Sequence, residues 1–298
     1  MTNLDIFQTM QNAKSICIIG HIDPDADAIA SITVLKDFLT RTYNIQTVDI
    51  FAQTNSVQDN CLFMLKDYTI NPEPKSYEIA IAVDSPNLER LGCYLNLFNN
   101  AKTTYVIDHH DTNTNFATFN IVERAASTSE IIFTILEQLN YQFSIFNYEN
   151  IYSGIITDTN NFTTPNTTKS TFYTASKIIE KINFIKIYDN FFLNYTFNSA
   201  KLLSFALNNL ISLKNNKILI SFLNKKHFKK SNATVNNIPG IVNKISTISG
   251  NVLSCLIFKK DSGFYVSLRA KNGYNVANLA KKYNGGGHNG KKGCHQLR

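Results

Sequence analysis

Thr104-Tyr105-Val106-Ile107-Asp108-His109-His110 decides how this chain is read. A β-prone apolar run stops at three side chains that can bind a metal ion or carry a proton. Such a run predicts a buried strand of a parallel sheet, with the polar trio at its carboxyl end. In open α/β sheets ligands bind at that edge.

Three more apolar segments of the first half end in the same way. Ser15–Gly20 delivers His21-Ile22-Asp23-Pro24-Asp25-Ala26-Asp27, Glu78–Val83 delivers Asp84, and Tyr152–Thr157 runs into Asp158. One such ending is ordinary, because Asp is a turn former and a helix cap. Four of them predict strand ends gathered along one sheet edge. Between them an amphipathic helix is predicted over 27–43, with Ile29, Ile32, Leu35 and Leu39 on one face. A strand follows at 46–52, then a helix and a Pro-bearing loop within 53–76. Ser127-Thr128-Ser129-Glu130 spells a capping box ahead of a helix over 131–139.

The pattern changes after about residue 180. A linker with helical parts is expected over 186–200, dividing an α/β, mostly parallel-sheet domain (1–185) from a smaller α+β domain (201–298). In the second half Ile218–Phe222, Val252–Phe258 and Phe264–Arg269 read as strands and Val276–Tyr283 as a helix. Gly285-Gly286-Gly287-His288 follows. Consecutive glycines let a backbone approach a ligand closely, and their amides can form an anion-binding nest. Arg269 can fork onto a phosphate, and His288 can hydrogen-bond or stack.

The composition is that of a core-forming chain, 44% hydrophobic and only 17% charged, with Asn, Ser and Thr carrying much of the polar surface. A net charge of +7 fits an anionic partner such as nucleic acid or a nucleotide. Five cysteines, none in a C-x-x-C pair, argue against a zinc knuckle or a disulfide framework and fit reduced thiols in the cytoplasm. The first residues lack a signal peptide's layout, and no run reaches the ~18 apolar residues of a membrane helix, so no membrane partner is expected.

The strand-end groups are His21, Asp25, Asp27, Asp84, Asp108, His109, His110 and Asp158. Carboxylates with imidazole and no thiolate suit Mn²⁺ or Mg²⁺, with Co²⁺ or Zn²⁺ also compatible. Asp25 and Asp27 lie two apart in a turn, so one loop can serve two ions, and Asp84 is the candidate to bridge them. A pair of ions about 3.5–4 Å apart would activate water for attack on a phosphoester.

In order along the chain, His21-x-x-x-Asp25-x-Asp27-Ala28, Val83-Asp84-Ser85, Asp108-His109-His110 and Gly154-Ile155-x-x-Asp158-Thr159 resemble the four motifs of the DHH phosphoesterases. Ser267-Leu268-Arg269 and the Gly-Gly-Gly-His stretch resemble the accompanying DHHA1 module. The layout looks like the nano-RNase branch, which cleaves short oligoribonucleotides and dephosphorylates 3′-phosphoadenosine-5′-phosphate (pAp). The resemblance implies one Mn²⁺ on His21, Asp25 and Asp84 and a second on Asp27, Asp84, His109 and Asp158. Asp108 would orient a ligand and His110 would face the scissile phosphate. Arg269, Gly285, Gly286, Gly287 and His288 would hold the substrate.

The activity implied is release of 5′-mononucleotides from RNAs of two to five nucleotides, with pAp and linear dinucleotides such as pApA as further substrates, by a monomer or a homodimer. A RecJ-like exonuclease and a nucleic-acid binder without catalysis are the competing readings. Ala26 and Ala30 stand where the family commonly has glycine, and Lys291-Lys292 where it has small residues, which bears on substrate preference.

Overall fold

A computed structural model describes all residues except 194, 239, 261–262, 272–275, 277–278, 280–290 and 298. The chain divides into two compact units, Met1–Leu193 and Asn194–Arg298.

The first unit runs α1 (Asn3–Gln8), β1 (Ser15–Ile19), α2 (Ala26–Arg41), β2 (Thr47–Phe51), β3 (Ile79–Val83), α3 (Leu95–Asn99), β4 (Thr103–Asp108), β5 (Phe119–Val122), α4 (Thr128–Gln138), α5 (Ile145–Asp158), α6 (Lys169–Ile178) and α7 (Phe184–Tyr188). Short 3₁₀ turns at Asp59–Met64, Leu88–Tyr94 and Ile179–Lys181, and a π turn at Asp189–Leu193, complete it. The strands form one parallel sheet in the order β2-β1-β3-β4-β5.

Why these runs are strands is visible in their burial. In β1, Ile16 and Ile18 enter one core while Cys17 and Ile19 enter the other; β3 and β4 divide in the same way. A strand covered on both faces needs the near-continuous apolar run that the sequence has. α2, α4 and α5 cover one face, and α3 with Leu91 covers the other.

Several expectations are corrected. The helix expected within 53–76 is only the 3₁₀ turn Asp59–Met64. Tyr152–Thr157 is not a strand but the last part of α5. Its Ile-Ile pair is β-prone, yet Ser144 and Asn147 form a reciprocal cap that starts a helix at Ile145. From there Ile151, Ile155 and Ile156 share the face buried against α2. Packing of that stripe overrides a local preference. Asp158 therefore arrives at the sheet edge from a helix end, not from a strand end.

α4 also begins earlier than expected, at Thr128. Ser127 accepts from the Glu130 amide, but the Glu130 carboxylate reaches the Ala126 amide and the Thr171 hydroxyl instead of closing the box. The fifth strand, Phe119–Val122, is only four residues and is broken by Asn120, too short to have been read.

The second unit contains α8 (Phe197–Asn208), β6 (Ile211–Leu213), β7 (Ile218–Leu223), α9 (Lys225–Ser231), α10 (Ile241–Ser246), β8 (Leu253–Lys260), β9 (Gly263–Ala270) and β10 (Lys291–Leu297), with a 3₁₀ turn at Val235–Asn237. Its sheet has the order β10-β9-β8-β7-β6 and is mixed, since β7 and β8 are parallel and the other pairs antiparallel. Leu202, Ala206, Ile241 and Ile245 from the helices pack on Leu219, Leu223, Leu256 and Phe258. Most of the helix expected over 276–283 (277–278 and 280–283) and Gly285, Gly286, Gly287 and His288 lie outside the described residues. No helix among the described residues is long and apolar enough to cross a membrane.

Candidate metal centre

The sheet's carboxyl edge explains how distant residues meet. β1 ends one residue before Gly20-His21, and Asp25 caps α2 by accepting from the Asp27 and Ala28 amides at 3.1 and 3.2 Å. β3 ends at Val83, after which Asp84 takes a left-handed backbone (φ +53°) that few non-glycine residues adopt. Such local strain persists only where surrounding contacts hold it. Here the Asp84 amide donates to the Ile107 carbonyl at 3.0 Å, and Thr128 Oγ1 donates to its carboxylate at 3.1 Å. β4 ends on Asp108, placing His109 and His110 beside it.

Seven side chains converge there. His21 Nε2 lies 3.6 Å from Asp25 Oδ1 and 3.5 Å from Asp84 Oδ2. His109 Nε2 lies 3.5 Å from Asp84 Oδ1 and 3.2 Å from Asp158 Oδ2. Donor atoms of His21, Asp25 and Asp84 all fall within 4.8 Å of one another, as do those of Asp27, His109 and Asp158, and those of Asp84, His109 and His110. Asp84 faces both His21 and His109, so it lies between the first two groups.

His21 Nδ1 lies 2.8 Å from the Ile22 carbonyl and His109 Nδ1 lies 3.3 Å from the Ala125 carbonyl. A proton on His109 Nδ1 donates outward and turns Nε2 to the carboxylates, whereas at His21 the Arg90 guanidinium, which can only donate, competes for the same Nδ1. The His109 tautomer is the one a metal-binding imidazole needs. Imidazole nitrogens and carboxylate oxygens 3.2–3.6 Å apart call for positive charge between them, a proton on the ring or a metal ion.

The electrostatics carry the same message. Burial, reinforced by Asp84, pushes the Asp27 carboxyl up to about 7, and burial pushes Asp158 well above the usual carboxylate range. Burial disfavours a charged His21, but Asp25 and Asp84 outweigh it and raise the ring to about 10. His109 is raised well above its ordinary value, with Asp84 and Asp158 overcoming burial. Asp84 moves the other way, held far below the usual range because hydrogen bonds from His109 and His21 outweigh its burial. Of the acids gathered here, Asp27 and Asp158 favour their protonated forms unless a cation neutralises them. Oxygen and imidazole donors without thiolate fit a hard or borderline divalent ion.

Several supporting residues could not be read from the sequence. The first two amides of α4, Thr128 and Ser129, donate to the two Asp27 oxygens at 2.7 and 3.0 Å. A helix amino terminus thereby steadies a fully buried carboxylate. Asn113 Nδ2 donates to Asp108 Oδ2 at 2.7 Å and to the Ser85 carbonyl at 3.1 Å, while Asp108 Oδ1 lies 2.6 Å from His110 Nδ1. Arg90 Nη2 lies 2.8 Å from His21 Nδ1 and 3.3 Å from the Ile22 carbonyl, and the Arg90 carbonyl accepts from the Ile22 amide. None of these contacts has a fixed spacing that would betray it in one sequence. A signal was present only for Ser127-Thr128-Ser129, whose cap was seen but not its acceptor.

Gly154 leaves room for this site. A Cβ there would stand 2.3 Å from Ser129 Oγ and 2.6 Å from Asp27 Oδ1. Gly154→Ala is expected to displace Asp27 and cost about 1–3 kcal/mol of stability through overpacking. Urea melts of the native and variant proteins, with Mn²⁺ titrations beside them, check this. Unchanged midpoint and metal affinity would refute the crowding.

In the second unit Arg269 lies on β9, where its Nε donates to Asn243 Oδ1 at 2.7 Å and Nη1 to the Leu268 carbonyl at 2.8 Å. Ala26 and Ala30 are buried in α2.

The model of the DHH family, N-terminal domain, matches residues 15–159, and that of the DHHA1 domain matches residues 215–293. A "probable bifunctional oligoribonuclease and PAP phosphatase NrnA" from Streptococcus mutans is 30% identical, the match covering 92% of this chain and 87% of the relative. The "bifunctional oligoribonuclease and PAP phosphatase NrnA" of Bacillus subtilis is 27% identical over 95% of this chain and 90% of its own. A crystal structure of an exopolyphosphatase-related protein from Bacteroides fragilis aligns with a TM-score of 0.89, covering 100% of this chain and 93% of that one; at 23% identity this likeness concerns the fold. With both domains matched in order and a relative at 30% identity over most of both lengths, this chain belongs to the DHH family of phosphoesterases.

Proposed function

We propose that the protein is a manganese-dependent phosphodiesterase that degrades RNAs of two to five nucleotides to 5′-mononucleotides and removes the 3′-phosphate of pAp. The observation that carries this reading is the convergence of His21, Asp25, Asp27, Asp84, His109 and Asp158 on one sheet edge. The names of the Bacillus and Streptococcus relatives supply the substrate classes.

His21, Asp25 and Asp84 would hold one ion, and Asp27, Asp84, His109 and Asp158 a second. Divalent ions there supply Lewis-acid polarisation of the phosphate and lower the pKa of a water. The chain's own groups do the remainder. Asp108 is fully buried, and Asn113 fixes one of its oxygens while the other accepts the His110 Nδ1 proton. With Nδ1 committed to Asp108, His110 Nε2 is the nitrogen left to the substrate, and in the doubly protonated ring it would donate a proton to a phosphate oxygen or to the departing alkoxide. The first unit is read as carrying the chemistry. The second is read as holding the substrate's end nucleotide through Arg269, Gly285, Gly286, Gly287 and His288.

A panel of pApA, pGpG, pAp and a 20-nucleotide RNA with purified protein and Mn²⁺ tests the reading. Mononucleotide release from the dinucleotides and phosphate release from pAp are expected, with slow attack on the longer strand. Intact dinucleotides and intact pAp would refute it.

A further inference from the structure

The charge of this chain is divided unevenly. The 105 residues from Asn194 to Arg298 hold 17 Lys and Arg and a single acid, Asp261, whereas Met1–Leu193 holds 12 Lys and Arg and 21 Asp and Glu. A net +16 thus sits in the second unit against −9 in the first. A genome-wide taste for lysine would enrich both units alike and would not strip the acids from one of them.

α9 concentrates this charge. Its sequence, Lys225-Lys226-His227-Phe228-Lys229-Lys230-Ser231, places two lysine pairs at i, i+4. The four lysines are exposed. The residues between them point inward. Phe228 packs on the second unit's core, Ser231 is buried, and the His227 ring stacks on Phe205 of α8 at 5.3 Å. Helix stability does not account for the arrangement. Lys225 and Lys226 occupy the amino-terminal turn, where the helix dipole disfavours cations, and lysines four apart repel. His227 reports the resulting field, since Lys230 adds to burial in lowering its pKa.

We propose that the outer face of α9 is a second binding surface, which docks the phosphate backbone of single-stranded RNA longer than the hydrolysed substrate. Charge complementarity favours a regular polyanion. An anionic membrane is the poorer match, because a helix that lies in a bilayer surface needs an apolar face and the one aromatic side chain of α9 is turned into the core. The choice of RNA among polyanions rests on the phosphodiesterase reading. Such a surface would hold the enzyme on the RNA pool from which short fragments arise, without base preference and with strong dependence on salt.

Fluorescence anisotropy of a labelled 20-nucleotide RNA, with full-length protein in EDTA across a salt series, tests this. The native protein is expected to bind with an affinity that falls steeply as salt rises. In K226Q/K229Q/K230Q, affinity is expected to drop about 10- to 30-fold at low salt and the log–log salt slope to flatten by about 2, since about 0.7 counterion is released per phosphate contact on a single strand. K226R/K229R/K230R should keep both. Hydrolysis of pApA with Mn²⁺ should be unchanged in either variant, so failure of the docking surface is distinguishable from failure of the phosphodiesterase reading. If the Gln triple melts lower than the native protein, K229Q and K230Q singly should each flatten the slope by about 0.7. Equal RNA binding by native and Gln proteins would overturn the proposal. So would native protein that ignores the RNA but binds phosphatidylserine vesicles.

Discussion

Asp84→Asn is expected to reduce turnover of dinucleotides by well over 100-fold while leaving the far-ultraviolet circular dichroism unchanged. Asp84 is the acid that meets the rings from two different strand ends, at 3.5 Å from His21 Nε2 and 3.5 Å from His109 Nε2. In the proposed centre it is shared by both ions. Removing an outer partner of a metal ligand typically costs 10–100-fold in metal affinity or activity, and a shared ligand should exceed that. The amide keeps the side chain's shape and an oxygen for the Thr128 hydroxyl, so the fold has little reason to change. Isothermal titration with Mn²⁺ alongside the activity assay separates the two effects. An Asn variant that keeps native turnover and native metal binding would contradict the assignment of Asp84.

Mn²⁺ is expected to stabilise the protein strongly, and most strongly at high pH. His21 in the folded chain is raised to about 10 from an ordinary value near 6.5. Its stabilising contribution is therefore complete below about pH 6.5 and is lost as pH climbs towards 10. Asp27, raised to about 7, favours its protonated form in the fold, so the metal-free protein also loses stability as pH passes from about 4 to 7. Both shifts have the same sign, and metal-free protein should melt at progressively lower temperature from pH 5 to pH 10. Bound cations replace those protons, and their affinity rises as the ligands deprotonate. At ion concentrations about 100 times the dissociation constant the gain is about 2.7 kcal/mol, which for a chain of this size raises Tm by several degrees. Melting curves with EDTA and with Mn²⁺ at pH 6 and 9 check this. A Tm difference that is absent, or larger at pH 6 than at pH 9, would contradict it.

The sheet edge was legible because its chemistry is written in short runs. An apolar strand that ends in His21, Asp84 or Asp108 declares both the element and the direction in which it delivers its side chains. The motif order then carried the family. Asp158 was placed correctly beside its partners but on the wrong element, because a β-branched pair reads as strand until the cap at Ser144 and the buried stripe of α5 are known. What stayed hidden was the support. Asp27 depends on amides of Thr128 and Ser129, 101 and 102 residues away, and Asp108 on Asn113 through a turn that only the folded chain closes. Backbone donors carry no residue signature, so no composition or spacing could announce them. The charge division lay open in the sequence as well, but it acquired a meaning only once the boundary at Leu193 and the outward face of α9 were known.

The most direct test is an anomalous difference map from crystals grown or soaked with Mn²⁺. Two peaks are predicted, one bounded by His21, Asp25 and Asp84 and the other by Asp27, His109 and Asp158, with Asp84 between them. A map with no peak at this edge, or with Mn²⁺ bound only elsewhere, would contradict the metal centre and the phosphodiesterase chemistry built on it.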